Sequence, residues 1–491
     1  MTKLFTTWLV AAVLCLGAID AAAIEIDGTQ PLAFDQPQVN AVLQPEAGGQ
    51  PYGFSFGGFS TFNITGFLDT GASGIVISQS TADGFEVPTA PGVTYSDVAV
   101  GGSTDFSVST PLNVRIAASN NLGIDNPATF QTVYNQVTTS VRTQVGPALT
   151  NVPDENTLSE ALDVFGMPVM MGKTVVMDPK PLNNTSPDPN LFSFMNTYIY
   201  NQGTPFNPAT ADTNPGIPAT SHHVQLSYGD FGRFTSTSPD GSSPPTLGHN
   251  PFIGPNPVDQ LNPLGTAQPA SGGTPPPPIS LDFNGNHAQG SFLLDTGAAV
   301  SFISTSIASS LHVRYSPTAD PLTPQLETFN PAHPELPGTP IADQFSLQLL
   351  GLGGQVNVAG FYLDDLILHT LEGSALDLDP NNIKFLHAPV FVQDIAVQDP
   401  LTSQTLTLDG VFGMNFLVAS GLLVINGFDF DILKASAGPF GWVTFDEPNG
   451  ILGLDLIPAP EPGSIGLAAT AGLLLAAYAW RNRRTRQSAR R

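Results

Sequence analysis

The tetrapeptide Asp-Thr-Gly-Ala occurs twice in this chain, at positions 69–72 and 295–298, and both times it stands between apolar runs. The first copy reads Thr65-Gly-Phe-Leu-Asp-Thr-Gly-Ala-Ser-Gly-Ile-Val-Ile-Ser78, the second Gly290-Ser-Phe-Leu-Leu-Asp-Thr-Gly-Ala-Ala-Val-Ser-Phe-Ile-Ser304. Each predicts a strand, a tight turn with an aspartate at its tip, and a second strand. The two aspartates lie 226 residues apart. That is the length of a domain and far beyond a solenoid period, so two related halves are expected, each offering one carboxylate.

Other pairs of segments recur in the same order. Val98-Ala-Val-Gly-Gly-Ser-Thr-Asp-Phe106 parallels Leu350-Gly-Leu-Gly-Gly-Gln-Val-Asn-Val358, two arms around Gly-Gly that predict a hairpin in each half. Leu162-Asp-Val-Phe-Gly-Met167 parallels Leu408-Asp-Gly-Val-Phe-Gly-Met414. Ahead of each Asp-Thr-Gly a further hairpin is expected, turning at Gly57-Gly58 in the first half and at Asn284-Gly-Asn286 in the second. With 48 Gly, 46 Pro and few segments of helical period among 491 residues, the chain reads as all-β. Helices are expected to be few and short, near 156–162, 306–311 and 416–420.

The organisation that follows is a signal peptide over 1–23, an N-terminal segment of no assigned role over 24–50, and a first lobe over 51–250. A Pro-rich insertion from about 181 is broken by a strand at Val224–Tyr228. A Pro-rich linker over 251–278, a second lobe over 279–457 and a tail over 458–491 complete the chain. The leader assignment rests on Lys3, the apolar run Leu9–Gly17 and the small residues Ala21–Ala23. The uncharged stretch 463–480 is just long enough to span a bilayer, and the arginines from Arg481 onward should stay cytoplasmic, which leaves the body outside.

Charge narrows the partners. Fifteen Lys and Arg face 41 Asp and Glu, and six of the basic residues fall in positions 481–491, so nucleic acid is excluded as a partner. The single cysteine, Cys15, lies in the leader, which removes disulfides and Cys-based metal sites from the mature chain. His222-His223 reads as solvated loop, and Asp364-Asp365, like Asp429 and Asp431, reads as solvated strand ends.

On its two Asp-Thr-Gly loops and the two Val-Phe-Gly segments after them, residues 50–455 resemble the aspartic protease superfamily. The length is similar to the bilobal pepsins, and the alanine after each Asp-Thr-Gly is more similar to retropepsins. The resemblance implies two pseudo-two-fold related β-barrel lobes with a cleft between them. It implies Asp69 and Asp295 as the catalytic pair, and Thr70, Gly71, Thr296 and Gly297 as supports, the threonines bonding across the interface. A flap at Gly101 and Gly102 is implied as well, with Tyr95 the nearest candidate for its tyrosine. The implied reaction is peptide-bond hydrolysis on a peptide or protein substrate, with neither cofactor nor metal. The alternative is a non-catalytic surface or matrix protein of the same fold.

The C-terminal end resembles the PEP-CTERM sorting tail of bacterial exported proteins, with Pro460, Glu461 and Pro462 as its motif. That resemblance implies signal peptidase and an exosortase as processing partners. It also implies export to the envelope or outer surface of a Gram-negative-type cell, with the C-terminal helix in the inner membrane before sorting.

Physical chemistry gives the pair its own rationale. Two carboxylates a few ångströms apart cannot both ionise, so they share a proton and supply a base and an acid side by side.

Overall fold

Local turn chemistry sets the hairpins. Asn284 and Gly285 both take positive φ, 51° and 75°, which joins Ile279–Phe283 to Asn286–Gly290 in the type of two-residue turn that matches strand twist. Gly57 and Gly58, at 59° and 86°, do the same between Phe54–Phe56 and Phe59–Thr61. The computed structural model describes residues 24–33, 35–99, 102–120, 125–146, 163–183, 194–211, 213–229, 245–257, 275–351, 354–398, 405–418, 421–426, 429–435 and 438–457. The leader, the tail with its apolar stretch, Pro460, Glu461, Pro462, Gly101 and the helix expected at 156–162 lie outside them. Among the described residues no helix is long and apolar enough to cross a membrane. One compact unit runs to Asp455; a second comprises Leu456–Arg491.

The described chain is all-β, with helices of at most six residues. Two of these fall where short helices are expected, Thr305–Ser310 and Met414–Leu417. Most strands belong to a nine-stranded and a fifteen-stranded sheet. Within each, five strands occur in the same order and sense. In the smaller sheet the order is Ile64–Leu68, Val164–Phe165, Ile75–Ser78, Gln144–Gly146 and Gly102–Ser109, joined in parallel, antiparallel, parallel and antiparallel pairs. In the larger sheet Phe292–Leu294, Gly410–Phe412, Phe302–Ile303, Ile383–Val392 and Gly354–Leu368 repeat the series. The internal duplication read from motifs is thus a duplication of strand order.

Three expectations need correction. Among the described residues neither sheet closes into a barrel: the smaller ends at Gln136–Val141 and Thr89–Ala99, and the path of the larger at Asn196–Asn201 and Asn286–Gly290. The N-terminal segment has a structural role. Gln38–Pro45 is an interior strand of the smaller sheet, paired with Ile64–Leu68 and Leu112–Ala117, and six of its eight residues are buried. The stretch from 181 to 278 also contributes more than one strand. Asn196–Asn201, His222–Gly229 and Asn250–Ile253 all join the larger sheet, so His222-His223 opens a strand, and the stretch read as a linker begins inside one.

Apolar burial holds each hairpin to its half. Tyr95 and Phe106, opposite one another in the hairpin Thr89–Ala99/Gly102–Ser109, pack with Val76, Val108 and Val164. In the larger sheet Phe391, Phe302, Val358 and Val411 are buried together, with Phe345 and Leu347 of the hairpin Phe345–Gly351/Gly354–Leu368 packed against them.

Candidate active site

Each Asp-Thr-Gly follows directly on a strand, Ile64–Leu68 or Phe292–Leu294, and the Val-Phe-Gly segment runs beside that strand. The backbone N–H of Asp69 donates to Phe165 O at 3.1 Å and that of Asp295 to Phe412 O at 3.0 Å. One step on, Met167 N donates to Ala72 O at 2.9 Å and Met414 N to Ala298 O at 2.8 Å. The glycine between explains the motif. A Cβ on Gly166 would collide with the carbonyls of Ala72 and Gly74, and one on Gly413 with those of Val300 and Ala298. Only glycine lets the segment lie this close behind the acidic turn.

The threonines join the two turns reciprocally. Thr70 N donates to Thr296 Oγ1 at 3.0 Å and Thr296 N to Thr70 Oγ1 at 3.1 Å. Thr70 Oγ1 donates to Leu294 O at 2.6 Å, and Thr296 Oγ1 to Leu68 O at 2.7 Å. Both side chains are almost wholly buried, at 1% and 3% exposure, so these four bonds are shielded from competing water. They fix the two loops face to face.

Across that junction the carboxyl groups of Asp69 and Asp295 come close enough to interact directly. Both stay partly exposed, unlike the threonines beside them. Gly71 and Gly297 make room for the encounter: a Cβ on Gly71 would strike the Asp295 carboxyl group, and one on Gly297 that of Asp69. Asp69 Oδ1 accepts from Gly71 N at 2.7 Å and Ala72 N at 3.2 Å, whereas Asp295 Oδ1 accepts from Ala298 N at 2.9 Å.

The close packing of the loops raises the pKa of both groups. For Asp69 it is opposed by the hydrogen bond from Asp295 and by the backbone N–H groups of Gly71, Ala72 and Gly297. Asp295 is pushed well above the usual carboxylate range, by packing first and then by the charge of Asp69. Both groups thus keep a proton to higher pH than a free carboxyl group, and they titrate as a pair.

Two supporting side chains carry no local sequence signal. Asn250 donates through Nδ2 to Thr70 O at 3.0 Å and to Gly71 O at 2.8 Å, and its Oδ1 accepts from Ser73 Oγ at 2.5 Å. Gln36 donates through Nε2 to Gly297 O. They stand 179 and 261 residues from the glycines they brace, beyond the reach of any motif.

Gly102 pairs with Ala99 at the end of the first hairpin. Tyr95 is 1% exposed within the apolar cluster of its own half. His223 bonds Glu372 at 2.6 Å. Asp364 and Asp365 sit inside the strand Gly354–Leu368, not at its end, with Asp365 2.6 Å from Lys384 and Asp364 accepting from Asn284 N at 2.6 Å. Among the described residues no group of three His, Cys, Asp or Glu is placed to hold a metal. No protein-family model matches the chain, and no curated protein matches it either.

Proposed function

We propose that this chain is an exported aspartic endopeptidase with a pepsin-like, two-lobed build, hydrolysing peptide bonds with a water held between Asp69 and Asp295. The observation that carries this reading is the four-bond threonine junction, which brings two partly exposed carboxyl groups together. Asp69, the ionised member, takes a proton from the water as its oxygen attacks the scissile carbonyl carbon. Asp295 gives its proton to the carbonyl oxygen, and a tetrahedral diol results. Asp69 then returns its proton to the departing nitrogen, while one diol hydroxyl returns a proton to Asp295 as the C–N bond breaks. The pair ends as it began, with one proton on the Asp295 side.

Export and envelope sorting rest on the sequence of the two ends, with cleavage after Ala23 and at Pro460-Glu-Pro462. Incubating the full-length protein with a peptide library from pH 3 to pH 7 tests the catalytic reading. The wild type should cleave, and Asp69→Asn and Asp295→Asn should not. Equal cleavage by all three proteins, or none by the wild type, rejects it and leaves a peptide- or matrix-binding role for the same fold.

A further inference from the structure

Each acidic turn is braced from the sheet that carries the other. Asn250 opens the strand Asn250–Ile253 of the larger sheet, which holds the second turn, yet its side chain bonds the first. Gln36 stands two residues before the strand Gln38–Pro45 of the smaller sheet, which holds the first turn, yet its side chain bonds the second. The two amides cross between the halves.

Both donate to the oxygen of a peptide group whose own N–H donates to an aspartate. On the second turn Gln36 bonds Gly297 O, and the N–H of that same peptide group, carried by Ala298, donates to Asp295 Oδ1 at 2.9 Å. On the first turn Asn250 reaches two such groups, through Thr70 O at 3.0 Å and Gly71 O at 2.8 Å. Their N–H groups, carried by Gly71 and Ala72, donate to Asp69 Oδ1 at 2.7 Å and 3.2 Å. A donor on a carbonyl oxygen polarises the whole planar peptide and makes its N–H a stronger donor to the group beyond.

The orientation of each amide is fixed by its surroundings. Asn250 is fully buried and its Oδ1 accepts from Ser73 Oγ at 2.5 Å, so the flipped amide would set Oδ1 against two carbonyl oxygens. Around Gln36 the backbone is tied to both turns: Ala33 N donates to Ala299 O at 2.7 Å, and Pro37 O accepts from Leu68 N at 2.8 Å. Between these, Asp35 accepts from Gln36 N at 2.9 Å and from Met195 N at 2.6 Å.

We infer that Gln36 and Asn250 are positioning residues of the acidic pair, each favouring the ionised form of the carboxyl group on the turn it braces by polarising the peptide groups that bond it. The consequence for hydrolysis rests on the function proposed above; the consequence for ionisation does not. A carboxyl group whose anion loses donor strength keeps its proton to higher pH. The N–H groups of Gly71 and Ala72 lower the pKa of Asp69, and that of Ala298 lowers the pKa of Asp295. Asn250 acts on two of these groups and Gln36 on one, so the first carries the larger share. Of titratable groups, the other aspartate of the pair faces each turn and Asp35 adjoins Gln36; all three stay in place in the variants compared below.

The test follows the carboxyl groups directly, in full-length protein labelled with carbon-13 at the aspartate carboxyl carbons. The signals of the pair are assigned by their loss in Asp69→Asn and Asp295→Asn, then titrated without substrate. Asn250→Leu and Gln36→Met should both move the titration of the pair to higher pH, the first further than the second. Asn415→Leu is the control: it removes another buried amide, bonded to Ser301 Oγ, Gln30 O and Pro389 O but to no peptide group that bonds an aspartate, and should leave the titration where it is. Gln36 is only partly buried, so Gln36→Met decides the matter should Asn250→Leu fail to fold. On a cleaved peptide, Asn250→Leu should lower kcat about fivefold with KM unchanged, the scale of one hydrogen bond, and Gln36→Met by less. A wild type that cleaves nothing would reject the endopeptidase reading and leave the titration to decide this one. A titration unmoved in Gln36→Met, moved as far by Asn415→Leu, or moved further by Gln36→Met than by Asn250→Leu would overturn the inference.

Discussion

The two halves hold their acidic loops by the same backbone scheme and differ by one inserted residue behind it. Ser78 and Ser304 each cap a short helix, accepting from the third residue on, Thr81 N or Ile307 N, at 3.1 Å. In the first half the backbone N–H of that serine donates to the side chain of Asp163 at 2.9 Å, and Thr81 Oγ1 donates to the same carboxylate at 2.8 Å. In the second half Ser304 N donates instead to the backbone carbonyl of Asp409 at 2.8 Å, and the Asp409 side chain turns to Ser291 N at 3.0 Å. Leu-Asp-Val-Phe-Gly has become Leu-Asp-Gly-Val-Phe-Gly. The extra Gly410 moves a carbonyl into the place that a carboxylate fills in the first half. A titratable buried group therefore sits behind one loop and a non-titratable one behind the other, so the halves should part company as pH changes.

The largest effect tests what the halves share. Asp69→Asn and Asp295→Asn should each lower kcat by about 10²–10⁴, the usual contribution of a positioned acid or base, measured on a cleaved library peptide. Loss in only one variant would mean that the carboxylates do not act as a pair.

Next come the threonines. Thr70→Val and Thr296→Val each strand a buried carbonyl and a buried N–H, at about 1–3 kcal/mol per orphaned group. Chemical denaturation should show similar losses for the two variants, because the bonds are reciprocal. A loss confined to one would break the equivalence of the loops.

The pH response separates the halves. Burial pushes Asp163 up to about 6 against the bonds from Ser78 and Thr81. Burial likewise pushes Asp35 up to about 6, against its bonds to Met195 and Gln36. A group whose pKa is raised in the folded protein stabilises it fully below the unfolded value and loses that contribution as pH rises through the folded value. Stability should therefore fall between pH 4 and pH 7, by up to about 3 kcal/mol for each group. Asp163→Asn should remove its share of that slope, leaving the share of Asp35, while Asp409→Asn leaves the whole slope in place, measured by urea titration at several pH values. An unchanged slope in Asp163→Asn would show that the Gly410 insertion does not divide the halves in this way.

The smallest effect concerns the braces. Asn250→Ala removes bonds to Thr70 O and Gly71 O and Gln36→Ala one to Gly297 O, so the first should cost more, about 1–2 kcal/mol against about 1. Denaturation midpoints of the two variants would rank them.

Much of the acidic site is legible in the sequence because its parts are local. Asp-Thr-Gly and Val-Phe-Gly-Met each lie within a few residues, and the glycines announce the close approaches that Gly71, Gly166, Gly297 and Gly413 make. Asn250 and Gln36 are not legible, since a side-chain amide bonding a distant carbonyl leaves no period or spacing behind. Fold class followed from turn residues and from the absence of helical period. Strand partners did not: Gln38–Pro45 mixes polar and apolar residues and is buried by two neighbours that no local pattern reveals. Asp364-Asp365 misled for a related reason. Two adjacent carboxylates look like an exposed end until Lys384, on the paired strand, is seen to meet Asp365.

The absent side chains of Gly71 and Gly297 have a consequence for how this molecule can change over time. The space each leaves is filled by the carboxyl group of the other half, so damage at one position appears at an address 226 residues away. A side chain introduced at Gly71 would displace the Asp295 carboxyl group of the second half. Two sequence repeats that could otherwise diverge separately are bound here to a common fate.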